Sequence, residues 1–176
     1  MTDVVSPVPA PVTGATSPGI SRAIYGMPMF ATLNASDLDR IVSWYVDGLG
    51  FVILFAMPPP PSPTRLVHLR RWQFQDILVR PADRPVTPGS TGTLNFAAVY
   101  DEIDDLAAQA RAHGGGAVEG PVDTPWNTRE VTTTDPDGNV VVFTAGRPPD
   151  RTDPEFTAAM RRWNAERGDR VELPVL

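Results

Sequence analysis

Pro125-Trp126-Asn127-Thr128-Arg129-Glu130-Val131-Thr132-Thr133-Thr134-Asp135-Pro136-Asp137-Gly138-Asn139-Val140-Val141-Val142-Phe143-Thr144 reads as one β-hairpin. Residues 128–134 and 140–144 are rich in Val and Thr, which suit a pleated ladder. Between them, Pro136 presets the second position of a turn, and Gly138 supplies a positive φ where one is needed. Upstream, residues 117–118 begin a short strand after Gly114, Gly115 and Gly116. Those glycines close a helix over 102–113, with Ile103, Leu106, Ala107 and Ala110 on one face. Residues 94–100 form a strand before that helix. The order is strand, helix, strand, strand, strand.

The same order precedes it. Residues 29–33 are a short strand, and Ser36 or Asp37 caps a helix whose first turn Asp39 supports. Leu38, Ile41, Val42, Tyr45 and Leu49 share its apolar face, and Gly48 and Gly50 end it. Strands over 51–56, 65–70 and 75–79 follow, separated by a proline-rich loop and a turn at Trp72. One constant shift sets Phe30 on Asn95, Leu38 on Ile103, Asp39 on Asp104, Ile41 on Leu106 and Gly50 on Gly115. A βαβββ unit leaves one sheet face open, and pairing two units creates a cleft. The expected fold is therefore α+β: two βαβββ modules, about 27–80 and 93–146, forming a cleft-lined sheet.

The flanks differ in composition. Residues 1–26 read as a disordered arm of Pro, Ser, Thr, Gly and Ala. Residues 80–92 are a linker. Residues 147–176 form an extra C-terminal helix and tail, the helix over 154–167 with Asp153 as cap and Pro154 at its first position. Its stripe of Phe156, Ala159, Met160 and Trp163 is expected to bury. The 176 residues contain no cysteine, which excludes disulfides, thiolate metal sites and cysteine nucleophiles. A net charge of −6 without a basic cluster disfavours nucleic acid and anionic membranes as partners. No apolar run approaches the roughly 20 residues that span a bilayer, and no leader pattern opens the chain, so the expectation is cytoplasmic.

Asp37-Leu38 with Trp44-Tyr45-Val46-Asp47-Gly48-Leu49-Gly50-Phe51 resembles the helix-to-strand signature of the vicinal oxygen chelate superfamily, which includes glyoxalases, bleomycin-resistance proteins and extradiol dioxygenases. Pro125 to Glu130 with Asp135-Pro136-Asp137-Gly138-Asn139 resembles its second-half hairpin, closest in pattern to bleomycin-resistance-type members. The resemblance spans residues 27–146. It implies paired βαβββ modules, a homodimer and a small-molecule ligand. Metal-dependent members of that superfamily carry His or Glu on the first strand of each half and Glu on the last strand of each half. Carried onto this chain, those corners are Phe30, Asn95, Val142 and, by the constant shift, Ile77. Phe, Ile and Val do not ligate, and Asn is a weak ligand. A slip of one or two residues would bring Asp76 or Gln75 to the fourth corner. The expectation is no metal and no cofactor.

Strand alternation puts Phe30, Thr32, Asn34, Ile77, Val79, Asn95, Ala97, Val99, Val140, Val142 and Thr144 on the cleft wall. Trp72 and Trp126, near strand ends, are candidates to stack on a flat ligand, with loop packing as the other reading. Arg129 is a candidate ligand contact or a partner of Glu130. His113 before Gly114 suits a helix C-terminus. His68 falls on the side of Leu66 and Arg70, opposite Val67 and Leu69, so it faces either the cleft or a satisfying neighbour. The first functional reading is a metal-free protein holding a hydrophobic or aromatic molecule. The alternatives are a metal-free isomerase, cyclase or lyase using His68 as general acid or base, and a metal-dependent lyase or dioxygenase.

Overall fold

A computed structural model describes residues 16–23, 29–57, 63, 65–89 and 92–167 of the chain, with side chains to residue 162 at the C-terminal end. Most of the proline-rich loop, the side chain of Trp163 and the C-terminal tail lie outside the described residues. The first half contains β1 (Ala31–Ala35), α1 (Leu38–Ser43), β2 (Val52–Met57), β3 (Leu66–Arg70) and β4 (Asp76–Pro81). The second contains β5 (Thr93–Ala97), α2 (Ile103–His113), β6 (Ala117–Asp123), β7 (Thr128–Thr134) and β8 (Val140–Gly146), followed by α3 (Pro154–Arg167). Each half is one four-stranded sheet, in the orders β1-β4-β3-β2 and β5-β8-β7-β6. The first and last strands of each half pair in parallel and the others antiparallel. These are the two βαβββ modules and C-terminal helix expected from the sequence.

One core serves both halves. Leu33, Val67, Leu69, Ile77 and Val79 of the first sheet join Val131, Val141, Phe143 and Ala145 of the second, with Ile41, Ile103 and Leu106 of the helices between. α1 runs into a wider π-helical turn, Trp44–Gly48. Widening changes the angular step between neighbours. Here the adjacent Trp44 and Tyr45 are both fully buried, where the helical stripe had included Tyr45 alone. Phe51 and Phe96 meet across the halves at 5.6 Å between ring centroids.

Polar clamps tie the halves where the apolar core ends. Asp135, in the hairpin turn, accepts from the backbone N–H groups of Asp137 and Asn139 and from Tyr45 Oη at 3.1 Å. Asp137 accepts from Ser36 through both its backbone N–H and its hydroxyl. Asp37, rather than Ser36, caps α1, accepting from Arg40 N at 3.0 Å. His113 sits edge-on to Trp44, with Nε2 3.0 Å from Ser43 Oγ on the other helix and Nδ1 2.8 Å from the adjacent Gly114 carbonyl at its own helix end.

Three expectations change. β6 runs to Asp123 through Gly120-Pro121, with a register shift against β7 between Glu119 and Val122. It is an edge strand, where a bulge tolerates a residue without an N–H. On α3, Thr157 is buried whereas Ala159 is exposed, because Thr157 Oγ1 accepts from the buried Asn127 amide at 3.0 Å. Asp153 is the cap as expected, 2.7 Å from Phe156 N. Residues 16–23 of the expected arm have no regular structure but lie against the first sheet. Arg70 Nη1 donates to the carbonyls of Ser21 and Ala23, and Arg22 Nη1 to that of Ile53.

Candidate functional site

Each sheet has one face in the shared core and one open face. On the first sheet the open face carries Phe30, Thr32 and Asn34 of β1 and its approach, His68 of β3, and Leu78 and Arg80 of β4. Thr32, Leu78 and His68 lie on one rung. Phe55 pairs with His68, and their rings meet edge-on at 5.5 Å. Met57 pairs with Leu66 beside them. Phe30 and Met57 are 55% exposed and Phe55 40%. Phe55 and Met57 therefore share one solvent-facing apolar edge of this face, with Phe30 exposed on the opposite edge strand.

Beside His68, on the same side of the sheet, lies a buried ion cluster. Asp76 takes Nε and Nη2 of Arg70 at 2.7–3.0 Å, and its Oδ1 lies 2.5 Å from His68 Nε2. The side chains of Asp76 and Arg70 are essentially sealed, at 1% and 0% exposure, whereas His68 keeps 14%. The imidazole is thus oriented by a carboxylate two residues along the neighbouring strand, on the same face of the sheet. Nδ1 meets no partner among the described residues.

On the second sheet, Asn95 and Val142 are partners across β5 and β8, and Val142 pairs with Thr132. Asn95 is exposed and Val142 half-buried. Glu130 stands on the same face, accepting from Thr128 Oγ1 at 2.7 Å and from Trp126 Nε1 at 3.1 Å. Trp126 and Val122 are exposed beside it. The open faces do not cover one another, since both carry exposed side chains in the single chain.

Phe30, Thr32, Asn95 and Val142 therefore lie on open faces and Trp126 at the margin of one, while three candidates go elsewhere. Ile77 is 0% exposed, in the core with its neighbour Val79. The expectation that both line the cleft is corrected by register. The first half is one residue shorter between its parallel partners (Ala31 with Ile77) than the second (Thr93 with Val140). A one-residue difference moves every later side chain to the other face, so Leu78 takes the open position. Arg129 points to the helix side of its sheet, where Asp104 of α2 and Asp123 each accept from it at 2.8 Å. Those two carboxylates raise its pKa further. Trp72 is 6% exposed and lies beneath the Arg71 guanidinium, 4.3 Å from the ring centroid. Arg71 also binds the Ala97 carbonyl, and burial lowers its pKa to about 10. That turn fastens one half to the other instead of presenting an aromatic surface.

Phe55, Met57 and Leu78 were not singled out in the sequence. Val-Ile-Leu-Phe-Ala-Met over 52–57 has no polar alternation to assign a face, and a register irregularity between Ile53 and Phe55 removes even the period. With the one-residue difference included, extending the β1–β4 ladder back by one rung puts Phe30 alongside Asp76, as Asn95 lies alongside Val142. The four corners are Phe30, Asn95, Val142 and Asp76. They supply one carboxylate, already bound by Arg70 and His68, and no three His, Asp or Glu side chains converge among the described residues. This donor set does not fit a divalent ion. Nor is any helix of the described residues long and apolar enough to cross a membrane.

The glyoxalase/bleomycin resistance protein/dioxygenase superfamily profile matches residues 27–143, and the chain belongs to that superfamily. Among solved structures, TioX from Micromonospora sp. ML1 is 26% identical, covering 69% of this chain and 99% of its own, with a TM-score of 0.54. TnmS3, an antibiotic binding protein from Streptomyces sp. CB03234, is 26% identical, covering 70% and 98%, with a TM-score of 0.52. The bleomycin-binding protein of Streptomyces verticillus shares the fold at 22% identity, covering 71% and 100%, with a TM-score of 0.53. No curated protein sequence matches the chain.

Proposed function

We propose that this superfamily member binds a small organic molecule, with a hydrophobic or aromatic body, on its open sheet faces, without a metal. The observation that carries this is the exposed apolar pair Phe55 and Met57 beside His68 and Leu78, on the same open face as the exposed Phe30. Burying such a pair against a ligand releases about 25 cal/mol per Å² of apolar surface, and Thr32 and His68 add the few polar groups that orient one. The likeness to TnmS3, an antibiotic binding protein, supports a small-molecule ligand. A second copy of the chain closes the cleft, laying its second sheet over the first sheet of its partner, because among the described residues each open face keeps exposed side chains. Native mass spectrometry of protein purified without chelators tests the whole reading. A metal-free dimer that takes up planar aromatic or glycopeptide-like compounds supports it. A stoichiometric divalent ion removed by chelator, or no uptake of any compound, refutes it.

A second reading, metal-free acid–base catalysis, is favoured by the His68–Asp76 contact. A buried carboxylate on one ring nitrogen fixes the tautomer and leaves the other nitrogen to exchange a proton with a bound molecule. His68→Asn then abolishes turnover of a bound compound while leaving its binding intact, and unchanged turnover removes this role.

A further inference from the structure

The linker between the halves builds a pocket at one end of the first open face. Asn34 and Arg80 are partners across β1 and β4, on the side that carries Thr32 and Leu78. Their rung lies two residues, roughly 7 Å, further along the strands. Beyond Pro81 the chain bends, and the exposed residues Asn34, Arg80, Asp83, Arg84, Pro85 and Thr87 are among those lining an open recess of about 410 Å³.

The wall is fixed at both ends. Ala82 N donates to the Ala35 carbonyl at 2.8 Å, and Gly89 N to that of Gly138 at 3.0 Å. Pro88 packs so closely on Gly138 that a Cβ there would stand 2.6 Å from the proline Cβ. Inside, Arg80 Nε donates to Asn34 Oδ1 at 2.8 Å, which orients the guanidinium. Its two Nη groups and the whole Arg84 guanidinium meet no acceptor among the described residues. Asp83 is the one acid in the lining, so two cations face one anion in a chain whose net charge is −6. An oriented guanidinium fork matches a carboxylate, sulfonate or phosphate group.

We infer that the pocket takes the anionic group of the ligand, whose apolar body rests on the neighbouring residues Leu78, Phe55 and Met57. The bound molecule is thus an amphiphilic organic acid, a narrower class than the binding reading on which this rests.

The test uses anilinonaphthalenesulfonate and its uncharged parent phenylnaphthylamine as fluorescent probes on the full chain. The expected result is that both bind, the sulfonate at least about tenfold more tightly at low salt, with that margin shrinking as salt screens the exposed arginines. Arg84→Gln and Arg80→Gln should each remove most of the margin and leave phenylnaphthylamine affinity unchanged. Equal affinity for both probes in the wild type, or a margin that survives in both variants, overturns the anion pocket while leaving the apolar site standing. Binding of neither probe removes the binding reading itself. Arg84 makes no bond among the described residues, so loss of both probes in that variant would also overturn the assignment.

Discussion

Asp76→Asn isolates the buried ion cluster on the open side of the first sheet. The substitution keeps the shape of the side chain and one acceptor oxygen but removes the charge that faces Arg70. Arg70 is completely buried and makes three bonds to this carboxylate, so the variant leaves a cation sealed in the protein without its counter-ion. Breaking a buried pair from one side costs about 3–5 kcal/mol. The carbonyls of Ser21 and Ala23 still solvate the guanidinium, and asparagine retains an oxygen, which places the expected loss near the lower bound, about 3 kcal/mol. For a chain of this size that corresponds to a melting temperature lower by roughly 6–12 °C. Urea unfolding at one fixed protein concentration reads it, since a dimer would make the midpoint concentration-dependent. Replacing both partners by apolar residues, Arg70→Met with Asp76→Leu, should recover most of the loss. A single Asp76→Asn variant within about 1 kcal/mol of wild type would refute the claim that the cluster is electrostatically closed.

Tyr45 is held protonated by burial first and by Asp135 second, well above the ordinary phenol value of 10.0. Its contribution is complete below that value. As pH rises past it the unfolded chain ionises first, so stability falls toward the folded pKa. Tyr45→Phe should flatten that alkaline fall in a series of unfolding curves, at a cost of about 1 kcal/mol at neutral pH. Gly116→Ala would drive a methyl into the Thr134 carbonyl and to within 2.8 Å of the Trp44 ring, for an expected loss of about 1–3 kcal/mol by thermal unfolding. Phe55→Glu and Met57→Glu remove exposed apolar surface, so stability should change by less than about 0.5 kcal/mol while phenylnaphthylamine affinity drops.

The repeated order of elements was legible because helix and strand periods, glycine stops and the Asp135–Asn139 turn are local signals. The inward face of α2 followed from periodicity alone. The site was less legible, for two physical reasons. Which face a strand residue joins depends on a count of residues through irregular loops, and a difference of one sent Ile77 to the core and Asp76 to the open side. Partners also come from far along the chain: nothing near Arg129 indicates Asp104, and nothing near Trp72 indicates that Arg71 would reach the Ala97 carbonyl. Asn127 stands within the Pro125–Glu130 motif, whose local pattern gives no sign of its role. It adopts φ 62° and, fully buried, spends its side chain on Asp153 N and Thr157, anchoring the C-terminal helix.

The one-residue difference between the halves also sets the terms for engineering. Anyone grafting a metal centre by aligning the repeats would write a carboxylate at Ile77, and the fold would receive a bare charge among Leu33, Leu69 and Val79. The usable fourth position already holds an acid, Asp76, but one neutralised from within. Retooling this chain as a metalloprotein therefore begins with removing Arg70, and only afterwards with donors at Phe30, Asn95 and Val142.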